Sequence, residues 1–515
     1  MSKIYPIGIQ NFEEVRKGGY VYIDKTELIY KLTKSGKYYF LSRPRRFGKS
    51  LLISTLEAYF SSRKELFSGL AIENLEQDWT EYPVLHLDLN TQKYDTPKAL
   101  LDVLEENLAK WEAIYGFSEK EIGVARRFNG VIERAAEKTG RNVVVLIDEY
   151  DKPMLQAIGN ESLMTEYRNT LKAFYGTLKS CDRYLRFAIL TGVTKFSKVS
   201  VFSDLNNLED ISIDSRFANI CGITEEELCS GFEEDINLLA ENNGITVEEA
   251  HRELKEWYDG YHFSEDGDDI YNPFSLLNTF VKMKFGSYWF ETGTPTFLVE
   301  LLKGAKYDLN KLTAEVASSD SLAGIDSMYI NPVPILYQSG YLTIKGYNRE
   351  FRVYNLGFPN KEVEEGFTRF ILPYYASLRS GNSSFEIINF VMDVRKGDID
   401  SFMLRLQSFF SDIPYELTRE LELHYQNVLF IVFKLLGFYT SVEYHTSRGR
   451  IDMVVKTDSY IYVMEFKLDG SAEDAMNQIK EKGYSAPFAS DTRTLIKVGV
   501  NFNNDIRGIE KWVVE

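Results

Sequence analysis

Cysteine and histidine are both scarce in this chain, with three cysteines and five histidines in 515 residues. Cys181, Cys221 and Cys229 form an odd, unpatterned set without a Cys-x-x-Cys pair, so neither a zinc framework nor a disulfide framework is indicated. A reducing compartment is the expectation. The histidines are scattered without metal-ligand spacing and read as structural or surface groups. Positive charge is also in deficit: 59 Lys+Arg stand against 76 Asp+Glu, a net charge of −17. That argues against broad electrostatic attraction to nucleic acid or anionic membranes, and leaves room only for a local basic groove. Long apolar runs are missing. Those present, such as Val428–Phe433, are far too short to span a bilayer, and the opening Met1-Ser2-Lys3-Ile4-Tyr5-Pro6 lacks an apolar signal core. The expectation is a cytoplasmic protein with no membrane partner. No repeats or low-complexity linkers interrupt the chain.

What is present is enough apolar material for several cores. A chain of 515 residues exceeds one hydrophobic core, so two to four domains are expected. Residues 1–222 alternate candidate strands (Tyr38–Leu41, Val84–Leu89, Val143–Ile147, Phe187–Leu190) with helical stretches such as Leu100–Tyr115 and Leu163–Leu178. That alternation predicts a parallel sheet covered on both faces.

The first strand runs into Arg43-Pro44-Arg45-Arg46-Phe47-Gly48-Lys49-Ser50 and then an apolar helix start, Leu51–Leu56. Strand, tight loop, Gly-Lys-Ser and helix is the layout of a phosphate-binding P-loop. Loop and helix N-terminal amides would face the phosphates, and the helix dipole favours their charge. Lys49, expected as an exposed loop residue, would reach the β- and γ-phosphates, and Ser50 would bind Mg²⁺. Arg43 stands where the pattern has its first glycine, and Pro44 has no N–H. The cradle is therefore expected from Arg46, Phe47, Gly48, Lys49 and Ser50.

A second signal is Val143-Val144-Val145-Leu146-Ile147-Asp148-Glu149, a buried parallel strand ending in two carboxylates. Asp148 is placed to hold Mg²⁺ directly or through water, and Glu149 to polarise an attacking water. Thr191 or Thr194, after the last strand, is the candidate γ-phosphate sensor; a simple turn is the other reading. The Arg43, Arg45, Arg46 cluster is read either as nucleotide-proximal or as a solvated face.

Arg43–Ser50, Ile147–Pro153, Tyr5-Pro6-Ile7-Gly8 and Tyr22–Thr26 together resemble the AAA-ATPase-like family of bacterial proteins. Its loop carries the same Arg-Pro-Arg-Arg-Phe-Gly-Lys-Ser string. The resemblance implies ATP as ligand and a fused PD-(D/E)XK nuclease-like domain.

Residues 223–330 are expected to form a helical lid, with capping boxes at Thr224–Glu227 and Thr246–Glu249. The aromatics of Trp257–Tyr261 and Tyr271–Ser275 are read as core. Residues 331–375 read as a helix followed by a hairpin, a winged-helix pattern suited either to DNA contact or to packing beside the ATPase. Residues 376–415 read as a helical connector.

Residues 416–515 carry the second constellation. Arg450–Val455 and Tyr460–Lys467 read as two strands around a Lys456–Ser459 turn, with Ile461, Val463, Glu465 and Lys467 on one face. A symmetric loop puts Asp452 opposite Val463 and diagonal to Glu465. Asp452, Glu465 and Lys467 match the Asp…Glu-x-Lys motif of PD-(D/E)XK nucleases. Glu422, with Glu420 as the alternative, matches that family's helix glutamate, and Gln478 with Tyr484 its Gln-containing helix. Ser471 is placed to cap that helix. The resemblance implies Mg²⁺ held by Asp452 and Glu465, with help from Glu422, and water positioned by Lys467. The segment has 12 Lys+Arg against 15 Asp+Glu, so it lacks a basic field.

The expected whole is an α/β protein: a P-loop ATPase sheet, a helical lid with a winged-helix pattern, and a C-terminal α/β restriction-endonuclease-like domain. The expected ligands are ATP and Mg²⁺, with DNA or RNA as substrate and self-association left open. The expected activities are ATP hydrolysis and Mg²⁺-dependent phosphodiester cleavage. The competing expectation is a nucleotide-switched interaction or DNA-binding protein with an inactive nuclease fold.

Overall fold

A computed structural model describes residues 3–196, 207–291, 296–322, 331–375, 383–410, 421–437, 439–447 and 450–515. The chain divides into two compact units, Met1–Gly293 with Glu315–Glu362, and Thr294–Ala314 with Val363–Glu515.

The first unit is organised by a parallel sheet of β1 (Tyr38–Ser42), β2 (Val84–Asp88), β3 (Val143–Asp148), β4 (Leu185–Gly192) and β5 (Glu209–Asp210), in the order β2-β3-β4-β1-β5. Every residue of β3 is buried, as an uninterrupted apolar run in a covered parallel sheet requires. Asp88 pairs in register with Asp148, and Ser42 with Gly192, so these strands end along one edge. From that edge starts α1 (Lys49–Phe60), which buries Leu52, Ile53, Leu56 and Phe60. Three longer helices flank the sheet: α2 (Pro97–Tyr115), α3 (Val124–Thr139) and α4 (Glu161–Ser180).

A helical region follows: α5 (Glu225–Gly231), α6 (Glu233–Asn243), α7 (Val247–Tyr258) and α8 (Pro273–Lys282). Thr224 and Thr246 both form the anticipated capping boxes. A two-stranded ladder, β6 (Ile223–Thr224) with β7 (Ile270–Tyr271), ties the ends of this region together. Its core of Leu228, Phe232, Ile236, Leu254 and Phe280 also takes in Tyr5, Val21 and Ile23. Tyr5 stacks on Phe232 and Phe280, and its hydroxyl donates to Asp235, which fixes the start of the chain. The unit closes with an antiparallel sheet of β8 (Glu315–Ser318), β9 (Thr343–Asn348) and β10 (Val353–Gly357), with the six-residue helix Val333–Gln338 between β8 and β9. The hairpin expected in the segment 331–375 thus supplies two strands of a three-stranded sheet, with β10 at its centre, and the helix Lys361–Tyr375 begins at the boundary between the two units.

The second unit holds a five-stranded sheet, β11 (Ser441–Ser447), β12 (Arg450–Lys456), β13 (Tyr460–Leu468), β14 (Thr494–Asn503) and β15 (Gly508–Val514), in sequential order. Only β13 and β14 are parallel, and α10 (Ala472–Glu481) makes the crossover between them. Ser471 caps α10 by accepting from Asp474 N. One face of the sheet meets α9 (Leu421–Gly437) through Phe433–Phe466 and Tyr425–Phe502 ring contacts. The other meets α10 through Val463, Met476 and Ile479. Gly499 permits that approach: a Cβ there would stand 2.3 Å from Ala472 O and 2.7 Å from Met476 N. The connector segment contributes helices Ser383–Lys396 and Ile399–Ser408, and its residues 376–382 and 411–415 lie outside the described residues.

Among the described residues, no helix is long and apolar enough to cross a membrane.

Candidate functional site

A cleft of about 320 Å³ opens where β1 turns into α1. Its wall includes Gly48, Lys49, Ser50 and Leu51 of the loop and helix start, with Glu149 just beyond β3. The loop is shaped by left-handed backbone at Arg46 (φ 67°) and Gly48 (φ 92°). No side chain caps the N-terminus of α1, so its first-turn amides retain the capacity to bind an anion. The charged groups lining the cleft are Arg45, Arg46, Lys49, Lys152 and Glu149, four cations against one carboxylate. An acidic protein thus presents a locally positive cleft of a size suited to a small polyanionic ligand.

Lys49 is buried rather than an exposed loop lysine. Its Nζ donates to the carbonyls of Arg43 (3.1 Å) and Pro44 (3.2 Å) and lies 3.7 Å from Glu149 Oε1. Glu149 has φ 54°, a left-handed conformation unfavourable for a side chain of this kind. The peptide turns sharply off β3 there, which places Glu149 in the cleft wall. Asp148 is buried, and its Oδ1 accepts from Glu149 N (3.0 Å) and from the Thr191 hydroxyl. Thr191 is fully buried and therefore acts on Asp148, while Thr194 is taken up by Asp151.

Asp151 was not anticipated as a site residue. Its Oδ2 accepts from Val193 N (3.0 Å), Thr194 N (2.6 Å) and Thr194 Oγ1 (2.6 Å), knotting the end of β4 to the end of β3. Complete burial, reinforced by the nearby charge of Glu149, pushes its carboxyl up to about 7.

The three arginines of the loop separate. Arg43 is buried, with Nη1 donating to Ser42 O (2.9 Å) and Ser212 O (2.7 Å) and Nη2 directed at Phe217 O and Ala218 O, and it stands 4.1 Å over the Phe263 ring. It is a structural clamp in place of the usual glycine. Arg45 and Arg46 face the cleft, Arg46 standing 4.9 Å over the Phe274 ring. Phe47 packs inward against Tyr261 and Phe263 and lines the adjoining apolar cavity rather than the cleft itself. Phe274, read from sequence as core, is half-buried and lines the cleft with Pro273 and Leu277. Pro6–Gln10, Asn90 and Lys152 also line it; the sequence reading gave none of them a role. The signal for Phe274 lay in Asn272-Pro273, where Asn272 caps α8 through Phe274 N and Ser275 N and fixes the start of that helix beside the loop. An apolar extension of about 110 Å³ continues between Val21, Ile23, Leu52, Ile223 and Leu277.

In the second unit, the β12–β13 register departs from expectation. Asp452 pairs directly with Glu465, and Val454 with Val463. The turn is centred one residue later than in the symmetric two- or four-residue loop anticipated within Lys456–Ser459. Thr457 N donates to Tyr460 O and Tyr460 N donates to Thr457 Oγ1, both at 2.9 Å, leaving only Asp458 and Ser459 between them. The shift is two residues, so the position of Asp452 moves from diagonal to directly opposite that of Glu465. Glu465 is fully buried, with Lys467 Nζ 3.5 Å from its Oε1. Lys467 also donates to Gln478 Oε1 on α10. Glu465, Lys467 and Gln478 therefore converge on the α10 face, and the register sets Asp452 opposite Glu465. Glu422 lies exposed on the first turn of α9, the helix that covers the opposite face, with Gln426 Nε2 at 3.4 Å. Tyr484 packs at the edge of the Val463–Met476–Ile479 cluster, and Glu420 lies outside the described residues.

Comparison with known proteins finds a family for each of the two regions that hold these residues. Residues 6–202 match a family model described as predicted AAA-ATPase, and residues 420–512 match the PD-(D/E)XK nuclease superfamily. An uncharacterized protein from the vnfD 5′ region of Azotobacter chroococcum mcd 1 is 35% identical over 529 residues, covering 100% of this chain and 99% of the relative.

Proposed function

The chain belongs to the predicted AAA-ATPases that carry a C-terminal domain of the PD-(D/E)XK nuclease superfamily, and from that premise we propose an ATP-hydrolysing protein that uses its nucleotide cycle to control metal-dependent cleavage of nucleic acid. The observation that carries the nucleotide half is the cleft. Lys49 and Glu149 meet at 3.7 Å in a wall with four cations, beside uncapped helix amides. Lys49 would exchange its two carbonyl acceptors for phosphate oxygens, a stronger charge-assisted bond. Glu149, held by its strained backbone, would orient a water and accept its proton. The donor set of Ser50 and Asp148 is hard oxygen and fits Mg²⁺, with Thr191 and Glu149 N fixing one Asp148 oxygen. That ion would supply charge neutralisation at the phosphates. Phe274, Leu277 and the apolar extension between Val21 and Ile223 suit the nucleotide's base.

For the nuclease half, Asp452 and Glu465 would hold Mg²⁺, again through hard oxygens, and the ion would supply a polarised water and charge stabilisation at phosphorus. Lys467, steered by Gln478, would position that water or offset the developing charge.

The acidic balance of residues 416–515 favours a second reading, a nucleotide-switched interaction protein whose nuclease fold serves assembly. Calorimetric titration of ATP·Mg²⁺ into the full chain tests the nucleotide half: binding in the parent and its marked weakening in Lys49→Ala support it, and equal affinity in the two refutes it. Mg²⁺-dependent cleavage of single- and double-stranded DNA and RNA, with and without ATP, tests the rest. ATP-dependent change in oligomer size without any cleavage would favour the second reading.

A further inference from the structure

The helical region holds a cluster that the sequence conceals. Glu225 and Cys229 are one turn apart on α5, and His251 comes from α7, 22 residues further along the chain. The three side chains each offer a donor atom within 4.8 Å of the others. Cys229 Sγ lies 3.6 Å from Glu225 Oε1 and 3.9 Å from His251 Nε2, and His251 Nδ1 lies 3.5 Å from Glu225 Oε1. Glu225 is held in place: its Oε2 accepts from the hydroxyl of Tyr271, a fully buried residue on β7, at 2.5 Å. The oxygen left over is the one turned toward the cysteine and the histidine. A carboxylate fixed from behind, with its free oxygen aimed at a thiol and an imidazole, is the arrangement of a metal ligand supported by an outer hydrogen bond.

We infer that Glu225, Cys229 and His251 form a binding site for a zinc-like transition-metal ion that joins α5 to α7. A thiolate, an imidazole nitrogen and a carboxylate oxygen suit zinc, and water would take the fourth position. A hard cation such as Mg²⁺ would not select the thiolate and imidazole, which separates this site from the two carboxylate sites. Binding replaces the thiol proton of Cys229, which leaves to solvent, and one thiolate and one carboxylate then balance the dication. The site lies within the first unit and at neither the cleft nor the nuclease constellation. Sequence spacing alone hid it, because His251 reaches Cys229 only when α5 and α7 pack.

The test uses the reduced, chelator-treated full chain, titrated with Co²⁺ in saturating Mg²⁺ so that the hard-oxygen sites are filled. The expected result is one equivalent of Co²⁺ bound with a thiolate-to-cobalt charge-transfer absorption, displaced by Zn²⁺. Cys229→Ser should abolish that absorption. Cys229 is exposed, so this variant should keep the parent's circular dichroism, and Cys181 and Cys221 remain as buried controls. Tyr271→Phe, which leaves the three ligands intact, should weaken Zn²⁺ binding about 10- to 100-fold. As an independent readout, Zn²⁺ should protect Cys229 from alkylation. The inference is overturned if the parent shows no charge-transfer absorption, if Cys229→Ser retains it, or if Zn²⁺ leaves alkylation of Cys229 unchanged.

Discussion

Lys49 sets the argument at the scale of single residues. Its ammonium is buried and satisfied by two carbonyls, so Lys49→Ala removes both a ligand contact and a loop restraint. Loss of a charge-assisted bond of about 1.5–3 kcal/mol should raise the Kd for ATP about 10- to 150-fold. Thermal unfolding of the same variant, measured alongside, separates that effect from loosening of the loop. Glu149→Gln should bind ATP like the parent and turn it over about 100-fold more slowly, because an amide is a poor proton acceptor. Parental turnover in that variant would assign Glu149 a structural role. Asp151 gives a pH signature. Its ordinary value is 3.8 and burial pushes it up to about 7, so the folded state holds this proton more tightly than the unfolded chain. Its contribution to stability is present below about pH 4 and lost as pH rises to about 7. Denaturant unfolding from pH 4 to 8 should therefore show a shallower fall for Asp151→Asn than for the parent. Identical slopes would contradict this assignment.

At the scale of elements, the sequence carried the strands and caps well, because each rests on local chemistry. The run Val143–Asp148 could be buried only as a covered strand, and Thr224, Thr246 and Ser471 cap the helices their spacing announced. What escaped it depended on packing. The β12–β13 register turned on whether Thr457 pairs with Tyr460, a side-chain-to-backbone choice that a hydrophobic pattern does not encode. Arg43 was grouped with Arg45 and Arg46 as either nucleotide-proximal or part of a solvated face, and neither reading holds for it, since carbonyls from Ser212, Phe217 and Ala218 claim the buried guanidinium. Phe274 joined the cleft because α8 folds back beside α1, a contact more than two hundred residues long in sequence. Gly499 is where β14 and α10 approach most closely at the backbone. Gly499→Ala forces α10 away from β14 or distorts the strand, since its nearest neighbours are backbone atoms. Overpacking of this kind costs roughly 1–3 kcal/mol. Unfolding monitored in the full chain should show that loss, with ATP affinity unchanged; undiminished stability would mean that α10 does not depend on this close approach.

At the scale of the molecule, the two units each hold one constellation, and each sets a carboxylate beside a lysine. Glu149 with Lys49 and Glu465 with Lys467 are separated by 3.7 and 3.5 Å. The account makes them independent in binding and coupled in action. The measurement that bears on this most directly is cleavage of a labelled nucleic-acid panel by the full chain in Mg²⁺, with and without ATP, for the parent, Lys49→Ala, Lys467→Ala, the two single variants Asp452→Ala and Glu465→Ala, and their double. The account predicts cleavage by the parent that depends on ATP, reduced by Lys467→Ala, lost in either single carboxylate variant and no lower in the double, since the two residues act as one unit. It predicts unaltered ATP binding in all the carboxylate variants and loss of ATP-dependent cleavage in Lys49→Ala. Parental cleavage by the Asp452/Glu465 double variant, or no Mg²⁺-dependent cleavage by the parent under any of these conditions, would contradict it.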